Sequence, residues 1–148
     1  MASKRIHKEL SDLGKNPEIF FSANTIADDI HQWQIFLPGP KGSAFEDGVF
    51  FLTCHFPTDY PFKRPKLAFQ TEIYHPQVNS NGAINLPILW SQWDGGTIFN
   101  VMKKLVEIMK NPKPDDPLRP DIAKELKENP EQWFKTAQEW TRKHAGSG

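Results

Sequence analysis

The side chains able to do covalent or metal chemistry are few and poorly placed for it. Cys54 is the one cysteine, and it falls inside the apolar run Val49 to Phe56, which reads as a strand. Burial there keeps a thiol protonated, so an inert core cysteine is expected. The five histidines (7, 31, 55, 75 and 144) are scattered, and with one cysteine they give no zinc-ligand spacing. Asp28-Asp29 and Asp115-Asp116 are adjacent pairs whose carboxylates diverge in extended chain, so turn formation is the expected role. Gly39 and Gly42 follow a strand but lack the helix start that phosphate cradling requires. No nucleophile-elbow motif is present. Neither a metal nor an organic cofactor is expected.

The stretch that could hold a site is 75–93, HPQVNSNGAINLPILWSQW. A connection of this length without regular structure is unusual in a compact domain and tends to be functional or disordered. Val78, Ile84, Leu86, Ile88, Leu89 and Trp90 supply more apolar anchors than disordered segments carry. An ordered, irregular segment pinned to a core is therefore expected, the kind of place where binding or chemistry sits. Its centre is Asn85, which is no nucleophile.

The elements that must position this segment follow from spacing. Ser3 to Leu13 is an amphipathic helix, with Ile6, Leu10 and Leu13 on one face and Lys4, Arg5, Lys8, Glu9 and Asp12 on the solvent side. Gly14 and Pro17 end it. Phe20 to Ile26, His31 to Leu37, Val49 to Phe56 and Lys66 to Gln70 read as four strands joined by short turns, hence an antiparallel meander with one face for helices to cover. Ile98, Val101, Met102, Leu105, Ile108 and Met109 form one helical stripe, capped by Thr97 and stopped at Asn111-Pro112. Asp121 to Glu128 is a short helix. Asn129-Pro130-Glu131-Gln132 starts the last one, which buries Trp133, Ala137 and Trp140. The fold class is α+β.

Composition limits the partners. The 148 residues carry 18 basic and 18 acidic side chains, a formal net charge of zero, so nothing global favours nucleic acid or a membrane surface. No apolar run approaches the roughly 20 residues of a membrane span, and no signal-peptide apolar region is visible. Cytosol or nucleus is the expected setting. A single domain over 1–145 is expected, with Gly146-Ser147-Gly148 read as an appended tail.

Several runs, in this order, resemble the ubiquitin-conjugating enzymes, above all their small single-domain class: SDL at 11–13, GVFFLT at 48–53, FPTDYPFKRPK at 56–66, IYHP at 73–76, NSNG at 79–82, SQW at 91–93, PDDPL at 114–118 and EWT at 139–141. The resemblance spans Ser3 to about Ala145. It implies an N-terminal helix, a four-stranded antiparallel meander, the long active-site segment and three further helices. It also implies transthiolation, in which a cysteine accepts the modifier's C-terminus as a thioester and passes it to a lysine; a thiolate both attacks and leaves well.

In the family that cysteine lies three residues after the glycine of NSNG, which is Asn85 here. A carboxamide neither attacks a thioester nor leaves as a thiolate. Two neighbours also depart from the pattern. The family's His-Pro-Asn, whose Asn the resemblance implies stabilises the oxyanion or orders the loop, is His75-Pro76-Gln77 here, one methylene longer. The acidic residue two positions after the cysteine, which in the family helps prepare the incoming lysine, is Pro87. His75 and Asp116 match. The ligase-docking footprint implied by the family maps to Arg5, Pro61, Phe62, Lys63 and Trp93, although the following loop reads Asp94-Gly95-Gly96 where relatives have Ser-Pro-Ala. Lys103, Lys104 and Glu107 occupy the exposed side of the central helix, which in relatives is uncharged; a solvated face is expected there. Ser22 matches the position at which relatives bind a second, non-covalent ubiquitin. Two functions follow from the resemblance. One is a catalytically inactive variant that holds ubiquitin or a ubiquitin-like protein, a ligase or an active conjugating enzyme. The other is a conjugating enzyme whose cysteine at position 85 has been replaced or engineered away.

Overall fold

In the computed structural model, residues 2–84, 90, 93 and 95–146 are described. Helix α1 (Ala2–Lys15) leads into strands β1 (Ser22–Ile26), β2 (Asp29–Pro38), β3 (Val49–His55) and β4 (Lys66–Phe69), and helices α2 (Ile98–Lys110), α3 (Pro120–Glu128) and α4 (Pro130–His144) follow. The four strands form one antiparallel sheet in the order β1-β2-β3-β4. None of the described helices is long and apolar enough to cross a membrane.

Side-chain alternation sets the two faces of the sheet. Trp33, Cys54 and Leu67 stand in register across three strands, as do Ile35, Leu52 and Phe69, and all six are buried. They share one core cluster with Ile6 and Leu13 of α1, the apolar stripe of α2, and Trp133 and Ala137 of α4. Cys54 has no exposure, and desolvation pushes its thiol pKa well up, so it is the inert core residue expected. The near-continuous apolar run in β3 does not mean burial on both sides. Val49 and Phe51 are 42% and 39% exposed, on the face away from the helices.

The β1–β2 turn falls one residue earlier than the acidic pair suggests. Ala27 and Asp28 both adopt positive φ, 54° and 60°, the twist that tight hairpins favour. Asp29 already belongs to β2, and its Oδ1 accepts the His31 N–H at 2.9 Å. Phe20, expected within β1, lies before it; its ring and that of Phe21 pack on Phe99 of α2 with centroids 5.6 and 6.3 Å apart.

Helix starts follow the sequence closely. Thr97 Oγ1 accepts from Asn100 N at 3.3 Å, and Asn129 Oδ1 accepts from Gln132 N at 3.3 Å. The reciprocal half of the second capping box is absent, because the Asn129 N–H donates to Glu125 O at 2.7 Å instead. In α4, Trp133 and Ala137 are buried, but Thr141 rather than Trp140 takes the next core position. Its hydroxyl donates to Ala137 O at 2.7 Å, which satisfies the buried oxygen within the helix. Trp140 sits at the rim.

The clearest correction concerns Glu9. Expected on the solvent side of α1, it is 8% exposed. Its carboxylate accepts the Tyr60 hydroxyl and the Ile98 N–H at the start of α2 (3.0 Å), and lies 3.4 Å from Arg5 Nε. A buried carboxylate is tolerated because it is bonded on several sides and sits at a helix N-terminus.

Candidate functional site

The segment that begins at His75 is pinned along its described residues 75–84. Asn79 Oδ1 accepts the N–H groups of Asn81 and Ala83 at 2.9 and 3.0 Å, closing a tight turn. Gly82 completes it at φ 87°, and a Cβ there would fall 1.9 Å from Phe69 O, so only glycine fits. The isolated bridge Ala68↔Ala83 then stitches the turn to β4, and Val78↔Ile84 closes the turn across its own base.

His75 is wholly buried, with Nε2 2.9 Å from Ile108 O and Nδ1 3.0 Å from Gln77 N. Because Nδ1 faces an N–H, it must accept, which places the proton on Nε2 and makes Ile108 O its acceptor. Burial pushes the imidazole pKa down to about 4. His75 is therefore a neutral tie between the segment and α2, with no lone pair or proton facing solvent.

Gln77 is also buried, at 1% exposure. Its carboxamide nitrogen donates to Lys113 O at 3.1 Å and to Asp115 O. Both amide protons are thereby directed at backbone carbonyls, and the side chain clamps the 113–115 loop. Next to it, Pro76 O accepts from Leu118 N and Arg119 N at 2.9 and 3.1 Å. Asp116 is exposed in that loop with φ 45°. Asn85 and Pro87 lie outside the described residues. His75, Gln77 and the loop carrying Asp116 are thus brought together around one end of α2.

A second group of predicted residues forms another surface. Phe62 is 90% exposed, on a loop anchored by Trp93, whose indole Nε1 donates to Pro61 O at 3.0 Å. Lys63 is exposed and pairs with Asp59 at 3.5 Å. Arg5 is half-buried and donates to Gly95 O and Gly96 O at 2.7 and 2.9 Å, so its guanidinium braces the loop rather than projecting from it. Glu9, Tyr60 and Arg5 together join α1, the 59–63 loop and the 95–97 segment. Sequence reasoning missed Glu9; a lone acidic residue four positions after Arg5 carries no local sign of burial. Ser22 is exposed in β1, in register with Phe36 of β2 and Phe51 of β3 on the outer sheet face. Lys103 and Glu107 are exposed on α2 as expected, and Lys104 is half-buried.

A family model described as ubiquitin-conjugating enzyme matches residues 5–141. The chain belongs to the ubiquitin-conjugating enzyme family. Its fold is similar to that of the E2 domain of a Toxoplasma gondii ubiquitin-conjugating enzyme. The two share 37% sequence identity with a TM-score of 0.88, over 96% of this chain and 97% of that one. The N-terminal helix, four-stranded antiparallel sheet and following helices are those of a conjugating-enzyme domain. Ubiquitin or ubiquitin-like proteins and ligases are the partners the family suggests.

Proposed function

We propose that this chain is a catalytically silent conjugating-enzyme homologue that serves the ubiquitin pathway as a binding module. The observation that carries the reading is the Gln77 carboxamide, whose N–H groups are directed at Lys113 O and Asp115 O. An amide so engaged holds a loop and has no donor left for the oxyanion of a thioester under attack. Asn85 adds the chemical reason: a carboxamide at the position of the family cysteine cannot form the thioester. Pro87 brings no charge to prepare an incoming lysine. What the scaffold keeps is surface: the Phe62 loop for a ligase, and the outer sheet face around Ser22 for a modifier. Cytosol or nucleus, where those partners reside, is the setting that goes with this reading.

A specific feature also speaks for the second reading, an enzyme whose cysteine has been replaced: His75 and the Asn79–Gly82 turn retain an ordered active-site frame. Charging distinguishes the two. Incubated with activating enzyme, ATP and ubiquitin, the chain should give no thiol-reducible band on a non-reducing gel, and such a band would overturn the binding-module reading. Asn85→Cys should charge but discharge to free lysine at least about 100-fold more slowly than an active conjugating enzyme, the usual scale for one lost oxyanion donor. Brisk discharge would favour the replaced-cysteine enzyme.

A further inference from the structure

Beside the His75–Gln77 stretch, a cleft of about 240 Å³ opens between the end of β4, the Asn79–Gly82 turn and α4, with Arg119 and Trp140 on its wall. The Arg119 guanidinium lies 5.8 Å from the Trp140 ring centroid. That distance is within cation–π reach and keeps the guanidinium beside the ring, with its N–H fork available to an acceptor. Among the described residues no oxygen accepts from it. Of the nearby carboxylates, Glu72 on the cleft wall lies 3.3 Å from His144 Nε2, Glu125 accepts the Tyr74 hydroxyl at 2.8 Å, and Asp121 is exposed at the start of α3. Tyr74 and His144 flank Trp140, with ring centroids 5.2 and 5.1 Å from it. The last turn of α4 adds Arg142 and Lys143 next to His144. Ser80 and Asn81 bring a hydroxyl and an amide to the opposite rim.

We infer that this cleft is a recognition site for an acidic side chain of a partner peptide, with Arg119 holding the carboxylate. The volume suits one side chain rather than a cofactor, and a guanidinium beside an aromatic ring, with no acceptor among the described residues, offers the fork that a carboxylate can accept from bidentately. Trp140 acts as a positioning residue by keeping the guanidinium at the cleft wall. The site borders the Asn79–Gly82 turn of the 75–93 segment, but it does not rest on whether position 85 is active.

The test is an NMR titration of the full chain with a glutamate-rich hexapeptide, its glutamine analogue and inorganic phosphate, all at one ionic strength. The glutamate peptide should shift the Trp140 indole N–H and the Arg119 side-chain N–H signals. The glutamine analogue should not. Arg119→Gln, checked for unchanged circular dichroism, should weaken the response about tenfold or more, the scale of a lost charge-assisted hydrogen bond. Arg119→Lys should retain part of it. Equal shifts with the glutamine peptide, or a response that survives in Arg119→Gln, would overturn the assignment. Saturation by phosphate at the same concentration would make the cleft a general anion site and likewise refute carboxylate recognition.

Discussion

At the scale of single residues, His75 illustrates how burial decides what a catalytic-looking side chain does. An imidazole with an ordinary pKa of 6.5 would titrate near neutrality and could move protons. Here desolvation lowers that pKa to about 4, and the Ile108 carbonyl, which favours the protonated ring, offsets the shift only in part. Between pH 6.5 and 4 the unfolded chain therefore takes up a proton at this position that the folded chain refuses. Stability is full above pH 6.5 and declines as pH falls through that window. The expected loss at pH 4.5 is about 2.5 kcal/mol for this group alone. Urea unfolding of the wild type and of His75→Asn at pH 7.5 and 4.5 would measure it. The wild type should lose roughly that much more than the variant, and parallel losses would show that the ring is not held neutral.

At the scale of elements, what was legible in the sequence separates by distance along the chain. The α2 stripe repeats every three to four residues, and the Thr97 and Asn129 caps act within three residues of themselves, so local pattern sufficed. Glu9 was opaque because its partners Tyr60 and Ile98 lie 51 and 89 residues away. Gln77 was half legible: the longer side chain was visible, its destination on the 113–115 loop was not. Glu9 also sets a testable linkage between α1, the Phe62 loop and the start of α2. Glu9→Ala would leave the buried Tyr60 hydroxyl and the Ile98 N–H without an acceptor, at a cost of about 3 kcal/mol. Glu9→Gln keeps one acceptor oxygen and should cost less than half as much. Denaturant midpoints would give both values. Amide exchange should rise in Glu9→Ala at residues 59–63 and 95–98 together, since one side chain joins them; exchange confined to α1 would break that link.

At the scale of the whole molecule, the sheet separates a helix-covered face from a bare one. Trp33, Ile35, Leu52 and Phe69 point into the core, whereas Phe36, Val49 and Phe51 stand on the other side without a helix over them. The Phe36 and Phe51 rings meet edge to face with centroids 4.4 Å apart. The apolar run in β3 was visible in the sequence, but which of its side chains would stay uncovered was not, because that depends on where the helices dock. Rimmed by Ser22, Gln34 and Thr53, this surface has the make-up of a weak, reversible docking patch: apolar at its centre, polar around it. If the chain is a binding module, a modifier protein should contact this face without any covalent step. Ser22→Arg would put a long charged side chain beside Phe36, obstructing contact while leaving the core untouched. Titration with ubiquitin should shift Ser22, Phe36 and Phe51 resonances in the wild type, and in Ser22→Arg the affinity should fall about tenfold or more, as for a charge desolvated at an interface. The thermal midpoint should stay within a few degrees, because Ser22 is exposed and makes no core contact. Shifts centred on Phe62 instead would move the modifier to the other surface and leave the sheet face without that role.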